Sequence, residues 1–230
     1  LADKYQLPVI VMSDMFLSES HKSVPKEFID KLIANYKVNR GKYITDASEI
    51  KEGNPDAQSK TIPFLRYRMS DDGVSSRLKP GIKGYYYQAN SYEHLEDGHT
   101  TEDAAPRIDQ VHKRSRKIET YLNSDFKGPD TFGDISSAET VFVSWGSNKG
   151  AILEAMRELE KMGKKTAFIH FSYIYPLNKD QVKKAMSTDR RYVLVENNST
   201  GQFGKLLLAE TNINIKEKIL RYDGRLITPE

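Results

Sequence analysis

The sequence predicts an α/β fold, an open, mostly parallel sheet with flanking helices, between about residues 137 and 227 of the 230-residue chain. Short apolar runs alternate there with single amphipathic stretches, which is the order of a parallel sheet with crossover helices. The runs show little polar alternation, as expected of strands covered on both faces. Polar residues also gather where a run ends, as in Glu196, Asn197 and Asn198. In open α/β sheets, ligands and partner surfaces meet that edge.

Each element of this sheet has a local signal of its own. Gly163 closes a helix whose apolar residues recur at helical spacing, and Asn178 can cap the next helix. The polar run after Val195 would also serve as a helix cap. The predicted order is strand Thr140–Ser144, helix Ala151–Met162, strand Thr166–Phe171, a helix from Asn178, strand Tyr192–Val195, a helix around Phe203–Ala209 and strand Lys218–Tyr222.

The first 37 residues predict the end of another α/β unit. Val9–Met12 is an apolar run suited to a buried parallel strand. Ser23 and Pro25 then open a helix with one apolar face, formed by Phe28, Ile29, Leu32, Ile33 and Tyr36. Because the chain opens on what looks like a helix end leading into a strand, we expect it to be a piece of a longer polypeptide.

Residues 38–98 have no helical period and are rich in Gly, Pro, Ser, Asp and Tyr. A structureless loop of this length is unusual in a compact domain. Disorder, short β elements and an arm ordered against another surface are three interpretations. The aromatic residues argue against simple disorder, whose composition is poor in aromatics. We therefore predict an extended connecting arm.

A long helix follows the arm, with Asp103 as its cap and Pro106 in its first turn. Its apolar stripe recurs at spacings of three and four and is formed by Ile108, Val111, Ser115, Ile118 and Leu122. The opposite face is basic, with Arg107, Lys113, Arg114, Arg116 and Lys117. We predict a solvated basic face; the alternative is a contact with a phosphate-bearing partner. The segment 123–137 is predicted to be a linker.

Composition excludes several classes of function. The chain is 38% apolar and 29% charged, as in globular proteins with a solvated surface. No apolar run approaches the roughly 18 residues that a membrane span needs. A net charge of +3 is too small to predict nucleic-acid binding. The chain has no Cys, so it supplies neither a thiolate nucleophile nor a thiolate-held iron–sulfur cluster.

Common catalytic and phosphate-binding motifs are absent. No G-x-G-x-x-G, G-x-x-x-x-G-K-[ST] or G-x-S-x-G occurs. His94 and His99, with Glu93, Glu96 and Asp97 around them, could form a hard-metal loop, but an ordinary polar turn is the favoured interpretation. The residues alone therefore predict two α/β pieces joined by an aromatic arm, with no catalytic residue and no metal site.

A family resemblance rests on several motifs in order along nearly the whole chain. The segments VFVSWGSNKGAILEAMRELEKMG, HFSYIYPLNKDQV, YVLVENNSTGQFGKLLLAET and ILRYDGRLITPE resemble the transketolase C-terminal-like domain of 2-oxoacid:ferredoxin oxidoreductase α subunits. DDGVSSRLKPG, NSYEHLEDGHTTED and KRSRKIE resemble the connecting segment of that subunit. KYQLPVIVMSDMFLSES resembles the end of the pyrimidine-binding domain of a thiamine enzyme, and the archaeal type with fused α and γ parts is the most similar in character.

The resemblance implies three parts of the chain. Residues 1–37 would be the end of the pyrimidine-binding domain, residues 38–136 the connecting arm and helix, and residues 137–230 the transketolase C-terminal-like domain. It implies an enzyme that oxidatively decarboxylates a 2-oxoacid with coenzyme A and reduces ferredoxin in the cytoplasm. It also implies that thiamine diphosphate, Mg and a [4Fe-4S] cluster are held by a β subunit or by an N-terminal domain. The family's Tyr-Pro-x-Thr-Pro-type substrate loop is not in this chain, which we expect to be inactive alone.

The resemblance also suggests site residues. Arg77 lies in an Arg-containing turn that matches the family, and a guanidinium can hold the carboxylate of a 2-oxoacid through two parallel hydrogen bonds. Lys79 and Lys83 are weaker candidates, and a surface ion pair of Arg77 with Asp71 or Asp72 is the competing interpretation. Asn197, Asn198 and Ser199 are expected to satisfy backbone groups and a neighbouring surface, with direct ligand contact as the alternative.

A second function class is a stand-alone α/β module that binds a nucleotide or another ligand. The missing phosphate motifs weigh against that module. Nucleic acid and membrane are not expected partners of the chain.

Overall fold

The computed structural model describes residues 1–50, 61–186 and 189–230. They divide into two compact units, Leu1–Ile10 with Val24–Ser124, and Val11–Ser23 with Asp125–Glu230. The part of the predicted arm at residues 51–60 lies outside the described residues. The elements in chain order are helix α1 (Ala2–Tyr5), helix α2 (Met15–Glu19), helix α3 (Lys26–Asn35), strand β1 (Tyr43–Ile44), strand β2 (Ile62–Pro63), strand β3 (Arg77–Leu78), strand β4 (Tyr85–Tyr86), helix α4 (Ala104–Ser124), strand β5 (Asp130–Phe132), strand β6 (Thr140–Trp145), helix α5 (Lys149–Lys161), strand β7 (Thr166–Phe171), helix α6 (Lys179–Ala185), strand β8 (Arg191–Glu196), helix α7 (Gln202–Thr211) and strand β9 (Glu217–Leu220).

The second unit contains the predicted α/β sheet. Its strand order is β5-β7-β6-β8-β9, and β6 to β9 run parallel. The strands carry fully buried side chains such as Val141, Phe168 and Leu194, so apolar burial on both sheet faces drives their pairing. Helix α7 packs so closely that a Cβ on Gly204 would lie 2.5 Å from Leu194 Cδ2. The predicted mostly parallel sheet with flanking helices is confirmed.

The predicted linker 123–137 contains an additional strand. β5 pairs antiparallel with β7 at the sheet edge, with Thr131 opposite Ile169. Its sequence is short and surrounded by Gly and Pro, so strand propensity alone gives little signal there. The hydrogen bonds of β5 to β7 at the sheet edge explain how a segment of low strand propensity becomes a strand.

In the first unit, the described part of the arm forms short β elements, and its segment 67–72 is hydrogen-bonded to α4. β1 pairs with β3 and β2 pairs with β4, both in parallel. Phe64, Val74 and Leu78 of the arm are buried. The aromatic and apolar residues of the arm therefore contribute to a core.

The long helix presents the opposite face to the one predicted from its apolar stripe. Ile108 and Val111 are 52% and 43% exposed, whereas Lys113 and Lys117 are buried at 3% and 8%. The prediction of a solvated basic face is wrong at these two lysines. Backbone carbonyls of the arm face this side of α4 and need donors, and that need outweighs the hydropathy of the stripe.

The predicted buried strand at Val9–Met12 is not formed. Ile10 and Val11 are 86% and 89% exposed, and no other described segment pairs with them. A strand requires a neighbour to receive its backbone hydrogen bonds. The helix α3 forms as predicted, but its apolar residues Phe28, Leu32 and Ile33 are also exposed.

Candidate functional site

Arg77 lies at the start of β3, with its guanidinium over an aromatic ring. Its backbone N–H donates to Lys42 O at 2.9 Å. The guanidinium carbon lies 4.9 Å from the centroid of the Tyr43 ring on β1. A cation–π contact at this distance helps to hold the guanidinium near the ring. The β1–β3 ladder thus places both the arginine and its supporting ring.

The carboxylate partner of Arg77 is Asp3 on α1. Arg77 Nη2 donates to Asp3 Oδ1, and Arg40 Nη1 donates to the other carboxylate oxygen at 2.8 Å. Asp72, which the competing interpretation paired with Arg77, bonds Lys42 instead at 2.8 Å. Arg77 Nε is buried and finds no acceptor among the described residues. The geometry therefore shows a guanidinium held on one side by Asp3, on a side chain that is 25% exposed.

The weaker cationic candidates take no part in this arrangement. Lys79 and Lys83 have exposed side chains, and the backbone N–H of Lys79 donates to Ile44 O at 2.8 Å. Their role as substrate contacts remains a prediction.

Helix α4 holds the segment that leads to Arg77 by a row of hydrogen bonds to backbone carbonyls. Gln110 Nε2 and Lys113 Nζ both donate to Tyr67 O, at 3.1 and 2.6 Å. The other two donors are Arg116, to Ser70 O at 3.1 Å, and Thr120, to Asp72 O at 2.8 Å. Buried carbonyls are costly to leave unpaired, so these side chains determine where the segment lies.

Gly73 makes the closest approach of this segment to α4. Its φ is +76°, and a Cβ there would lie 2.4 Å from Lys113 O and 2.7 Å from Lys117 N. A left-handed backbone favours glycine, and the distance to the helix leaves no room for a side chain. This glycine thus allows the arm to contact the helix backbone directly.

The two buried lysines, Lys113 and Lys117, have lowered pKa values. Burial lowers the pKa of Lys113 from 10.5 to about 7, with the charges of Lys117, Arg66 and Arg114 acting in the same direction and Glu96 opposing them. Burial, together with Arg66 and Arg114, lowers the pKa of Lys117 to about 8. Both lysines were predicted to lie on a solvated face, because lysine on a helix is ordinarily exposed.

The lowered pKa of Lys113 predicts a stability that rises with pH. Between about pH 7 and 10 the unfolded chain binds a proton that the folded chain does not, so the free energy of unfolding increases by up to about 1.4 kcal/mol per pH unit. Lys113→Met should reduce this increase between pH 7 and pH 9, because methionine does not titrate, while the part that Lys117 contributes above about pH 8 remains. Gln110 still donates to Tyr67 O in this variant. Melting temperatures of the protein at the two pH values test it. Lys161→Met, on an exposed lysine, is the control, and an unchanged slope in Lys113→Met would contradict the prediction.

The polar run after β8 satisfies backbone groups at the start of α7. Asn198 Oδ1 accepts from the backbone N–H groups of Thr200 and Gln202, at 3.2 and 3.1 Å. Its Nδ2 donates at 2.7 Å to Glu196, whose buried carboxylate also accepts from Phe203 N at 3.1 Å. Asn197 and Ser199 are exposed. Asn198 and Glu196 together therefore cap the helix, while Asn197 and Ser199 face outward.

A buried histidine lies at the same strand ends and was not predicted. His170 Nε2 donates to Gly146 O at 3.1 Å, and its Nδ1 has no partner among the described residues. Burial lowers the pKa of His170. The ring is thus a neutral donor that holds the turn before α5.

The histidine-containing loop forms a polar turn. His99 Nδ1 lies 2.9 Å from Asp97 Oδ2, and His94 stacks on Tyr67 with ring centroids 3.8 Å apart. Arg114 holds Glu93 through two bonds of 3.0 and 2.7 Å. Over residues 1–50, 61–186 and 189–230, no group of three or more His, Cys, Asp or Glu could hold a metal ion.

Comparison with known families identifies the second unit. The family described as the C-terminal domain of transketolase matches residues 135–227. This part of the chain has the fold of a transketolase C-terminal domain. The order of parallel strands β6 to β9 agrees with that assignment.

None of the described helices is long and apolar enough to cross a membrane.

Relatives cover nearly the whole chain and extend beyond the transketolase C-terminal domain. The chain is 31% identical over 230 residues to the α subunit of a 2-oxoacid:ferredoxin oxidoreductase from Saccharolobus solfataricus. This match covers 98% of this chain and 33% of the relative. The chain is 33% identical over 231 residues to the α subunit of 2-oxoacid:ferredoxin oxidoreductase 1 from Aeropyrum pernix, with the same coverage. The chain thus spans about a third of the length of these relatives, and the predicted resemblance is confirmed.

A solved structure agrees with these relatives. The 2-oxoglutarate:ferredoxin oxidoreductase from Magnetococcus marinus, solved with 2-oxoglutarate, coenzyme A and succinyl-CoA bound, matches with a TM-score of 0.66 and 25% identity. The match covers 76% of this chain and 30% of that chain. The likeness therefore includes part of the first unit as well as the transketolase C-terminal domain.

Proposed function

We propose that this chain is the C-terminal portion of the α subunit of a 2-oxoacid:ferredoxin oxidoreductase. The assembled enzyme oxidatively decarboxylates a 2-oxoacid with coenzyme A, giving acyl-CoA and CO₂, and reduces ferredoxin. The observation that carries the proposal is the similarity to such α subunits over 98% of the chain. Its expected partners are a β subunit and ferredoxin, its location is the cytoplasm, and it has no nucleic-acid or membrane partner.

Residues 1–37 are proposed to complete a pyrimidine-binding domain. The exposed apolar side chains of Ile10, Val11, Phe28 and Ile33 support this, since exposed apolar surface of such density marks a contact with other protein. Residues 38–136 connect that domain to the domain at 137–230. The exposed Asn197 and Ser199, next to the helix cap at Asn198, are available for a contact with a neighbouring domain or subunit.

The cofactors are proposed to lie elsewhere in the assembled enzyme. The sequence contains no Cys to hold a [4Fe-4S] cluster, and the part of the chain that the structure describes has no acidic or histidine cluster for Mg. These residues do not fit a resident metal or cluster. Thiamine diphosphate, Mg and the cluster are therefore assigned to the β subunit or to an N-terminal domain.

Within this chain, Arg77 is proposed to bind the carboxylate of the 2-oxoacid. Its guanidinium is planar, lies near the Tyr43 ring and belongs to a side chain that is 25% exposed. A carboxylate held by two parallel N–H bonds keeps a fixed direction while the neighbouring carbonyl carbon reacts. The proposed contribution of this chain to catalysis is substrate orientation.

Reconstitution tests the proposed function. The complete α subunit, purified with its β subunit, should reduce ferredoxin or a viologen dye when given a 2-oxoacid and coenzyme A. The 230-residue chain alone should show no activity, because the thiamine and cluster sites lie outside it. Omission of coenzyme A is the control for the acyl acceptor.

Two results would contradict this proposal. Dye reduction by the 230-residue chain alone would show that the chemistry lies within it. Tight binding of NAD or ATP to the chain, measured by calorimetry, would instead favour the stand-alone nucleotide-binding module.

A further inference from the structure

The carboxylate that pairs with Arg77 comes from a distant part of the sequence. Asp3 and Arg77 are 74 residues apart in sequence, and their side chains are 27% and 25% exposed. Asp3 lies on α1, a helix of four residues. A helix this short is not stable by itself, so its position depends on what it packs against.

Three contacts fix α1 in the first unit. The Tyr5 ring packs edge-on against Tyr121 of α4, with centroids 5.7 Å apart. Lys117 Nζ donates to Gln6 O at 3.2 Å, directly after the helix. On another side Gly41 leaves no room for a side chain, since a Cβ there would lie 2.7 Å from Lys4 O. The helix is therefore held between α4 and the start of β1.

The same helix is tied to the segment that carries Arg77. Gln6 Nε2 donates to Ser75 O at 2.6 Å, two residues before Arg77. Ser75 is buried and its hydroxyl donates to Arg68 O at 2.8 Å. Asp3 and Arg77 therefore belong to segments that are joined by a second hydrogen bond beside the ion pair.

Asp3 also separates two cations that share one aromatic ring. The guanidinium carbons of Arg40 and Arg77 lie 5.9 and 4.9 Å from the Tyr43 centroid. Each arginine bonds a different oxygen of the Asp3 carboxylate. Without that negative charge the two guanidinium groups would repel each other, and Arg77 would lose its fixed place over the ring.

We propose that Asp3 is the positioning residue of Arg77, which it holds against Tyr43 so that the remaining N–H groups meet a substrate carboxylate in one orientation. This inference rests on the proposed function of Arg77. Asp3 itself does not touch the substrate. Its carboxylate holds the guanidinium in place, and its loss affects substrate binding through the arginine.

Kinetics of the assembled enzyme test the role of Asp3. Asp3→Asn should raise KM for the 2-oxoacid about fivefold, the size expected for a partly exposed ion pair. The kcat value and KM for coenzyme A should stay the same, since Asp3 acts on 2-oxoacid binding alone. Asp3→Glu, which retains the charge, should restore part of the loss. Asp30→Asn, which removes an exposed carboxylate from a helical ion pair with Lys26, is the matched control.

A double-variant cycle separates positioning from a general structural effect. If Asp3 acts through Arg77, Asp3→Asn combined with Arg77→Lys should be no worse than Arg77→Lys alone. Additive losses, or a KM that stays unchanged or falls in Asp3→Asn, would overturn the inference while leaving the role of Arg77 intact. Unchanged 2-oxoacid kinetics in Arg77→Lys would instead remove the proposed substrate contact, and the positioning role with it.

Discussion

Replacing Arg77 with Lys in the assembled enzyme should lower kcat/KM for the 2-oxoacid by about tenfold or more, because a charged hydrogen bond contributes about 1.5–3 kcal/mol. Lysine keeps the positive charge but lacks the planar pair of donors that grips a carboxylate. It also lacks the guanidinium whose carbon lies 4.9 Å from the centroid of the Tyr43 ring. Steady-state kinetics with the 2-oxoacid varied at saturating coenzyme A measure the change.

The control for this variant is another arginine in an ion pair. Arg157→Lys changes an exposed arginine of α5 that pairs with Glu154 at 2.5 Å, and it should leave 2-oxoacid kinetics unaltered. KM for coenzyme A should not change in either variant. If Arg77→Lys had unaltered 2-oxoacid kinetics, Arg77 would be a structural partner of Asp3, and no substrate contact would remain assigned to this chain.

The transketolase C-terminal domain was predictable because its signals are local. Strand Thr166–Phe171 begins and ends as predicted, since a run of apolar residues bounded by polar turns has few alternatives within a parallel sheet. The cap at Asn178 also forms, and its side chain accepts from Gln181 N at 3.1 Å. β5 was missed because its pairing with β7, rather than its own composition, makes it a strand.

The surroundings of Arg77 could not be predicted, because they depend on contacts between distant segments. The competing interpretation of the sequence paired Arg77 with Asp71 or Asp72, whereas the structure brings Asp3 to it. The buried face of α4 was predicted from hydropathy, but the carbonyls of the arm select Gln110 and Lys113 as donors. A pattern of helical spacing contains no information about which backbone groups another segment will present.

The position of the arm depends on a close contact between Gly73 and α4. Substitution of Gly73 is therefore expected to have a large effect on stability. Its backbone, at φ +76°, lies against the carbonyl of Lys113 and the amide of Lys117. Gly81 has a similar φ of +90°, but nothing lies within 4 Å of a Cβ built there. The two glycines share the conformational strain that an L-residue would suffer and differ in the contact with the helix backbone.

Gly73→Ala should therefore destabilise the first unit by roughly 3–5 kcal/mol, because a methyl group 2.4 Å from a backbone oxygen forces the arm away from α4. Gly81→Ala should cost only the left-handed strain of about 1–2 kcal/mol. Hydrogen exchange of the α4 amides in the complete α subunit measures the difference, with the α5 amides of the second unit as an internal reference. Equal exchange of α4 in the two variants would show that strain alone matters and that the arm tolerates displacement. Faster exchange in Gly73→Ala alone, together with a raised KM for the 2-oxoacid, would link the docking of this segment on α4 to the position of Arg77.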